Sequence, residues 1–106
     1  MENVRSFKLK NNGDFVARVQ VLKLLGDKWH NVAPTSGYRD ICKHAERTFD
    51  LQGITGLSAG EKVKLKAEVV LGKDKTATEE FLYDPAGLAV AYEISGTTLS
   101  NKLKRK

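Results

Sequence analysis

Hydrophobic and polar residues alternate most regularly between residues 62 and 71. The apolar positions are Val63, Leu65, Ala67, Val69 and Leu71, and the positions between them are mainly lysine and glutamate. A period of two places one set of side chains on one face of a β-strand, whereas a helix would scatter them around its circumference. The pattern therefore predicts a half-buried strand over residues 62–71.

A second strand is predicted at residues 78–83, after a glycine-containing turn. Pairing Leu71 with Ala77 in an antiparallel register places Ala67 opposite Phe81 and Leu65 opposite Tyr83, so most apolar side chains share one face. A slip by one residue would separate them. This register has one weak point, because it places Glu79 on the apolar side.

The N-terminal region predicts a β-hairpin over residues 7–21. Phe7 and Leu9 share one face of its first strand, and Phe15 and Ala17 share one face of the second. A three-residue loop, Asn11-Asn12-Gly13, pairs Leu9 with Phe15. Such a loop needs positive φ at its last position, which glycine adopts without steric cost.

The rest of the chain predicts short strands separated by turns. Further strands are expected at residues 28–33, 46–51 and 88–98. Proline and glycine predict a turn at residues 84–87, and three glycines predict a loop at residues 52–60. Residues 34–44 are expected to form a long irregular connection, which could include a short helical turn around Asp40 and Ile41.

About seven short strands without any segment of helical period indicate an all-β protein. The expected fold class is an antiparallel β-sandwich of about seven strands. The 106 residues suit one domain, expected over residues 1–100 and followed by a basic C-terminal tail at residues 101–106.

The charge is concentrated in that tail. The net charge is +5, but without Lys102, Lys104, Arg105 and Lys106 the chain has 14 basic and 13 acidic residues. A nearly neutral body argues against nucleic acid as the partner. No apolar leader follows Met1, and no apolar run is long enough to span a membrane. We therefore expect a cytoplasmic protein, or one secreted without a conventional signal peptide.

Catalytic and metal-binding patterns are missing from the sequence. Cys42 and His44 lie two positions apart, but nothing nearby suggests a third catalytic group or an oxyanion hole. One cysteine and two histidines do not make a convincing zinc site, and Glu79 and Glu80 would point to opposite faces of a strand. The expectation is a protein that is not an enzyme and needs no cofactor or metal.

The candidate ligand-binding residues combine aromatic and polar side chains on a strand and the connection after it: Asp27, Trp29, His30, Tyr38 and Arg39. Carbohydrate sites place an aromatic ring against a sugar, and lipid-headgroup sites use similar residues. The alternative is that Trp29 lies in the core and Tyr38 anchors a loop. The lysines at positions 62, 64 and 66 could form a basic binding face, although a solvated outer face is the simpler interpretation.

Three stretches resemble a family of small β-sandwich proteins: residues 7–21 (FKLKNNGDFVARVQV), 47–51 (RTFDL) and 92–99 (YEISGTTL). That family includes nematode proteins up-regulated in long-lived insulin-signalling mutants, and a slime-mould hemagglutinin has a similar design. The resemblance implies a fold-level similarity to lectins and to aegerolysin-like lipid binders. It supplies no ligand-binding residues.

The sequence thus favours a non-enzymatic recognition module of lectin or hemagglutinin type, whose partner is a glycan or glycoconjugate. Agglutination requires at least two sites, so a homo-oligomer is expected. One alternative is an aegerolysin-like protein that binds an anionic or sphingolipid membrane surface. Another is a protein-interaction or structural subunit.

Overall fold

The computed structural model describes residues 1–34 and 37–106, and these residues form an all-β fold. The strands are β1 (Asn3–Gly13), β2 (Ala17–Leu25), β3 (Lys28–Ala33), β4 (Glu46–Asp50), β5 (Lys62–Val69), β6 (Lys75–Thr76), β7 (Phe81–Tyr83), β8 (Leu88–Gly96) and β9 (Asn101–Arg105). None of the described residues belongs to a helix that could cross a membrane.

The strands form one curled, mixed sheet. Its order is β3-β2-β5-β7-β1-β8-β9, with β4 also paired to β1 and β6 to β5. Strand β1 is parallel to β7 and β8 and antiparallel to β4, while β2 is antiparallel to β3 and β5. Because β7 pairs with both β1 and β5, it joins the two halves of the sheet.

The core follows from the alternation of side chains along the strands. The predicted inward face of β5 is confirmed, since Val63, Leu65, Ala67 and Val69 are buried. The rings of Phe7 and Phe81 pack edge to face with centroids 5.6 Å apart. An irregularity in strand β1 between Val4 and Ser6 changes the inward and outward alternation of its side chains. The apolar side chains before and after this point therefore all face inward.

The predicted antiparallel sandwich of about seven strands is therefore corrected: residues 1–34 and 37–106 contain nine strands in one mixed, curled sheet. Parallel pairing of β1 with β8 joins residues more than 80 positions apart, from Val4 with Leu88 to Gly13 with Gly96. Alternation shows which face of a strand is buried, but it carries no information about a distant partner.

The predicted first hairpin is wrong. Strands β1 and β2 do not pair with each other. Strand β1 pairs with β4, β7 and β8, whereas β2 pairs with β3 and β5. Asn11, Asn12 and Gly13 end β1 instead of forming the turn. The buried Asn11 side chain donates to the carbonyl oxygens of Phe15 (2.6 Å) and Ile41 (2.9 Å), so it secures the connection that follows.

The second predicted pairing has the correct faces and the wrong register. Val63 lies opposite Phe81 and Lys62 opposite Leu82, and a separate short strand, β6, pairs Ala67 with Lys75. The displacement is an even number of residues, which leaves the inward and outward faces unchanged. Strand β5 ends at Val69, and Leu71, which was predicted to point inward, is exposed.

Two further segments differ from expectation. The irregular connection over residues 34–44 includes residues 35 and 36, which lie outside the described residues; in its described part Ile41 forms a β-bridge with Ala17 instead of a helical turn. Residues 101–105, expected to be a basic tail, form β9 and pair with β8.

Candidate functional site

Three of the predicted ligand-binding residues lie at the edge of the sheet. Asp27 is exposed in the β2–β3 turn, and Trp29 and His30 follow on β3. Trp29 is half-buried and lies opposite Leu24. The Lys64 ammonium lies 4.1 Å from the centroid of its ring, which covers part of the ring with a cation–π contact.

The other two predicted residues lie elsewhere. Tyr38 is 74% exposed, and the Arg47 guanidinium is 5.4 Å from its ring centroid. The next two residues are Arg39 and Asp40, and Asp40 pairs with Arg18 near the start of β2 at 2.6 Å. Trp29 lies beside Leu24, six residues further along that strand, which is roughly 20 Å at the usual rise per residue. The structure does not bring the five residues together into one site.

The lysines of β5 are engaged with neighbouring side chains. Lys62 and Lys66 pair with Glu80 (3.9 Å) and Asp74 (3.7 Å), and Lys64 covers Trp29. Partly exposed pairs of this kind contribute little to stability. Acidic partners balance two of the three lysine charges, so this face offers no concentrated positive charge.

Two leucines that the sequence did not single out are the most exposed leucines in the described residues. Leu71, in the β5–β6 loop, is 95% exposed, and Leu99, in the β8–β9 loop, is 68% exposed. Leu71 also has a φ of 61°, a left-handed conformation that is rare for a leucine. We call residues 70–74 and 97–100 the leucine loops.

Main-chain and side-chain hydrogen bonds hold the leucine loops against each other. The Lys73 amide donates to the Thr98 carbonyl oxygen at 2.8 Å. The buried Asn101 side chain donates to the carbonyl oxygen of Lys73 at 2.9 Å and to that of Thr97 at 3.3 Å. A Cβ atom at Gly72 would overlap the Thr98 carbonyl oxygen. The two exposed leucines therefore belong to one braced surface.

The β1–β2 connection lies at the same end of the molecule. The Asp14 amide donates to the Gly96 carbonyl oxygen at 2.9 Å, and the Val70 amide donates to that of Val16 at 3.0 Å. Lys43 forms an ion pair with Asp14 and lowers the pKa of that carboxyl group. This end of the molecule combines two protruding leucines with a fixed polar network.

A groove of about 830 Å³ runs beside β9, between that strand and residues 75–79. Tyr92, Ala77 and Leu103 contribute apolar surface to it. At one end Arg105 pairs with Glu79 at 2.6 Å and with Glu2 at 2.7 Å. Burial is the main cause that raises the pKa of Tyr92 to about 12, and the charge of Glu79 adds to it.

Cys42 and His44 lie in the connection before β4. Cys42 is exposed, and His44 has a φ of 70° while its amide donates to the Asn11 carbonyl oxygen at 2.6 Å. Within residues 1–34 and 37–106, no three His, Cys, Asp or Glu side chains are grouped to hold a metal ion.

The fold resembles part of several solved bacterial toxins. A Gram-negative toxin matches 96% of this chain with a TM-score of 0.55 and 18% identity. Pneumolysin matches with a TM-score of 0.50 and 19% identity, and suilysin from Streptococcus suis with 0.50 and 16%, again over 96% of the chain. The separately solved membrane-binding domain of pneumolysin has a TM-score of 0.47.

The chain spans less than a quarter of the full-length toxins, 22% of the Gram-negative toxin and 23% of pneumolysin and suilysin. At these identities the shared feature is the fold. No protein-family model and no curated protein matches the sequence. The resemblance to the nematode and hemagglutinin proteins stays a prediction.

Proposed function

We propose that this protein binds lipid membranes without catalysing a reaction, and that it does so through the leucine loops. The observation that carries the proposal is the pair of protruding leucines, Leu71 and Leu99, on loops joined to each other by hydrogen bonds. Exposed apolar side chains on a fixed polar frame are suited to enter the boundary between headgroups and acyl chains. This is the lipid-binding alternative of the sequence analysis, assigned to different residues.

The two leucines of a single protein molecule provide only weak membrane binding. Moving a leucine side chain out of water contributes about 1.5–3 kcal/mol. Two leucines therefore supply about 3–6 kcal/mol, which on its own corresponds to dissociation constants from millimolar to tens of micromolar. Oligomers on the membrane would strengthen this binding through multivalency.

The likeness to bacterial toxins supports the proposal at the level of the fold. A fold does not determine function, so membrane binding is assigned to the leucine loops and not to the fold as a whole. The exposed Lys73 belongs to the first of these loops, and it has no carboxylate partner among the described residues. Its ammonium group adds an attraction to anionic headgroups.

The test is co-sedimentation with vesicles of phosphatidylcholine alone, with phosphatidylserine, or with sphingomyelin and cholesterol. We expect the protein to bind at least one composition. Leu71→Asn keeps a residue that tolerates positive φ, and Leu99→Ser shortens the other side chain. Each substitution should weaken binding about ten- to hundred-fold, because it removes about 1.5–3 kcal/mol of apolar transfer.

Leu25→Ser is the matched control. Leu25 is 61% exposed at the far end of β2, and its loss should leave vesicle binding unchanged. Equal binding by the wild type and the Leu71→Asn/Leu99→Ser double variant would refute the proposed site. Failure of the wild type to bind any vesicle would refute the function.

Carbohydrate binding remains the second candidate because Trp29 is only half-buried. A sugar stacking on the ring would first have to displace the Lys64 ammonium, 4.1 Å from the ring centroid. A glycan array tests this directly. Binding to a glycan that is lost in Trp29→Ala would establish the lectin hypothesis in place of the membrane one.

A further inference from the structure

Strand β9 is an edge strand with a defined set of outward main-chain groups. The Lys106 amide donates to the Ala91 carbonyl oxygen at 2.9 Å, and the Thr97 amide donates to that of Ser100 at 2.8 Å. Along a strand, the main-chain N–H and C=O groups of alternate residues point to opposite sides. These two bonds show that the groups of the even-numbered residues of β9 point toward β8. The N–H and C=O groups of Leu103 and Arg105 therefore face away from β8.

No strand in the described part of the chain pairs with this outward edge. It borders the groove of about 830 Å³, whose opposite side is formed by residues 75–79. Natural proteins shield such edges, because free main-chain groups recruit another strand. The short, lysine-rich β9 is protected in this way against pairing with a copy of itself, but its outward main-chain groups stay uncovered beside a groove with an apolar floor of Ala77, Tyr92 and Leu103.

The charges around the groove indicate which charge a strand bound beside β9 would need. Glu79 and Glu93 are already paired, with Arg105 and Lys106 respectively. Lys75, Lys102 and Lys104 have no ion-pair partner in the described residues. The edge is therefore positive, and a second copy of β9 would place lysines against lysines.

We propose that β9 is a docking site for an extended acidic peptide segment of a partner protein, which adds a strand to the edge of the sheet. Side chains alternate along a strand. Residues of the peptide opposite Lys102 and Lys104 would carry carboxylates, and the residue opposite Leu103 would be apolar and face the floor of the groove. The recognised pattern is thus an alternation of acidic and apolar residues.

The proposal is independent of membrane binding and is tested with a fluorescein-labelled peptide of alternating glutamate and valine. Fluorescence polarisation at low salt should show saturable binding to the full chain. A peptide of alternating lysine and valine should not bind. A Glu-Val peptide N-methylated at every second residue should bind at least ten-fold more weakly, because it lacks the amides that pair with β9.

On the protein side, Lys102→Glu/Lys104→Glu should weaken binding at least ten-fold. Lys28→Glu/Lys64→Glu, on β3 and β5 and outside the lining of the groove, changes the net charge equally and should have little effect. The proposal is overturned if the N-methylated peptide binds as well as the parent, or if both double variants lose binding equally. It is also overturned if the Glu-Val peptide does not bind at all.

Discussion

The hydroxyl of Tyr92 lies where β8 faces Glu79, with 3.4 Å between Oη and the carboxylate. Burial, helped by that negative charge, raises the pKa of Tyr92 to about 12 from the usual 10.0. The neutral phenol is therefore favoured in the folded state. Its contribution to stability is complete below pH 10 and is lost as the pH rises from 10 toward 12.

Tyr92→Phe cannot ionise, so its free energy of unfolding should fall less steeply than that of the wild type between pH 10 and 12. Near pH 7 the two should be similar, because the hydrogen bond removed is long. Urea denaturation across this pH range measures the difference. Tyr38→Phe, which alters an exposed ring, should follow the wild type. Parallel losses in Tyr92→Phe and wild type would contradict the assignment.

At the scale of elements, the relative position of the two leucine loops depends on a close main-chain approach at Gly72. The amide of Gly72 donates to the Val69 carbonyl oxygen at 3.0 Å, and a Cβ atom there would overlap the main chain of Thr98. A carbonyl oxygen in a hydrogen-bonded loop cannot rotate away as a flexible side chain can. Any side chain at position 72 must therefore push the two loops apart.

Gly72→Ala should lower the free energy of unfolding by about 1–3 kcal/mol, as overpacked sites do. It should also weaken vesicle binding, since Leu71 and Leu99 would no longer share one surface. Lys73→Ala is the control for stability, because it keeps the main-chain bond to Thr98. Chemical denaturation of both variants tests the prediction, and an unchanged midpoint for Gly72→Ala would exclude the close approach.

The strands also show how much of the fold could be predicted from the sequence. The alternation in β5 predicted its buried face, and the segments assigned to β3, β4 and β8 were found close to their predicted bounds. The partners were not predictable, because Phe7 and Leu9 satisfy the same alternation against β2 or against β8. The leucine loops were missed for a related reason: neither Leu71 nor Leu99 reveals by its type that its side chain protrudes.

At the scale of the whole molecule, β7 couples the two halves of the sheet. Phe81 is fully buried, packs edge to face on Phe7 of β1, and lies opposite Val63 of β5. Its three-residue strand is the segment that pairs with both halves. The halves should therefore unfold together.

Phe81→Ala should reduce the free energy of unfolding by about 3–5 kcal/mol through lost burial and cavity formation. Trp29 fluorescence reports one half and far-ultraviolet circular dichroism the whole sheet, and their midpoints should coincide in wild type. Leu82→Ala, whose side chain is only half-buried, should cost less. Two separate transitions in the wild type would contradict the coupling through β7.

The pairing of β1 with β8 also has a consequence during synthesis. Ribosomes add about 5–20 residues per second, so β1 emerges roughly 4–16 s before the strand that covers one of its edges. During that interval the apolar side chains of Phe7 and Leu9 have no β8 to pack beside. Long-range pairing of this kind also slows folding once the chain is complete. The nascent protein is thus most exposed to aggregation through its first strand, and chaperones that hold N-terminal segments should improve its yield.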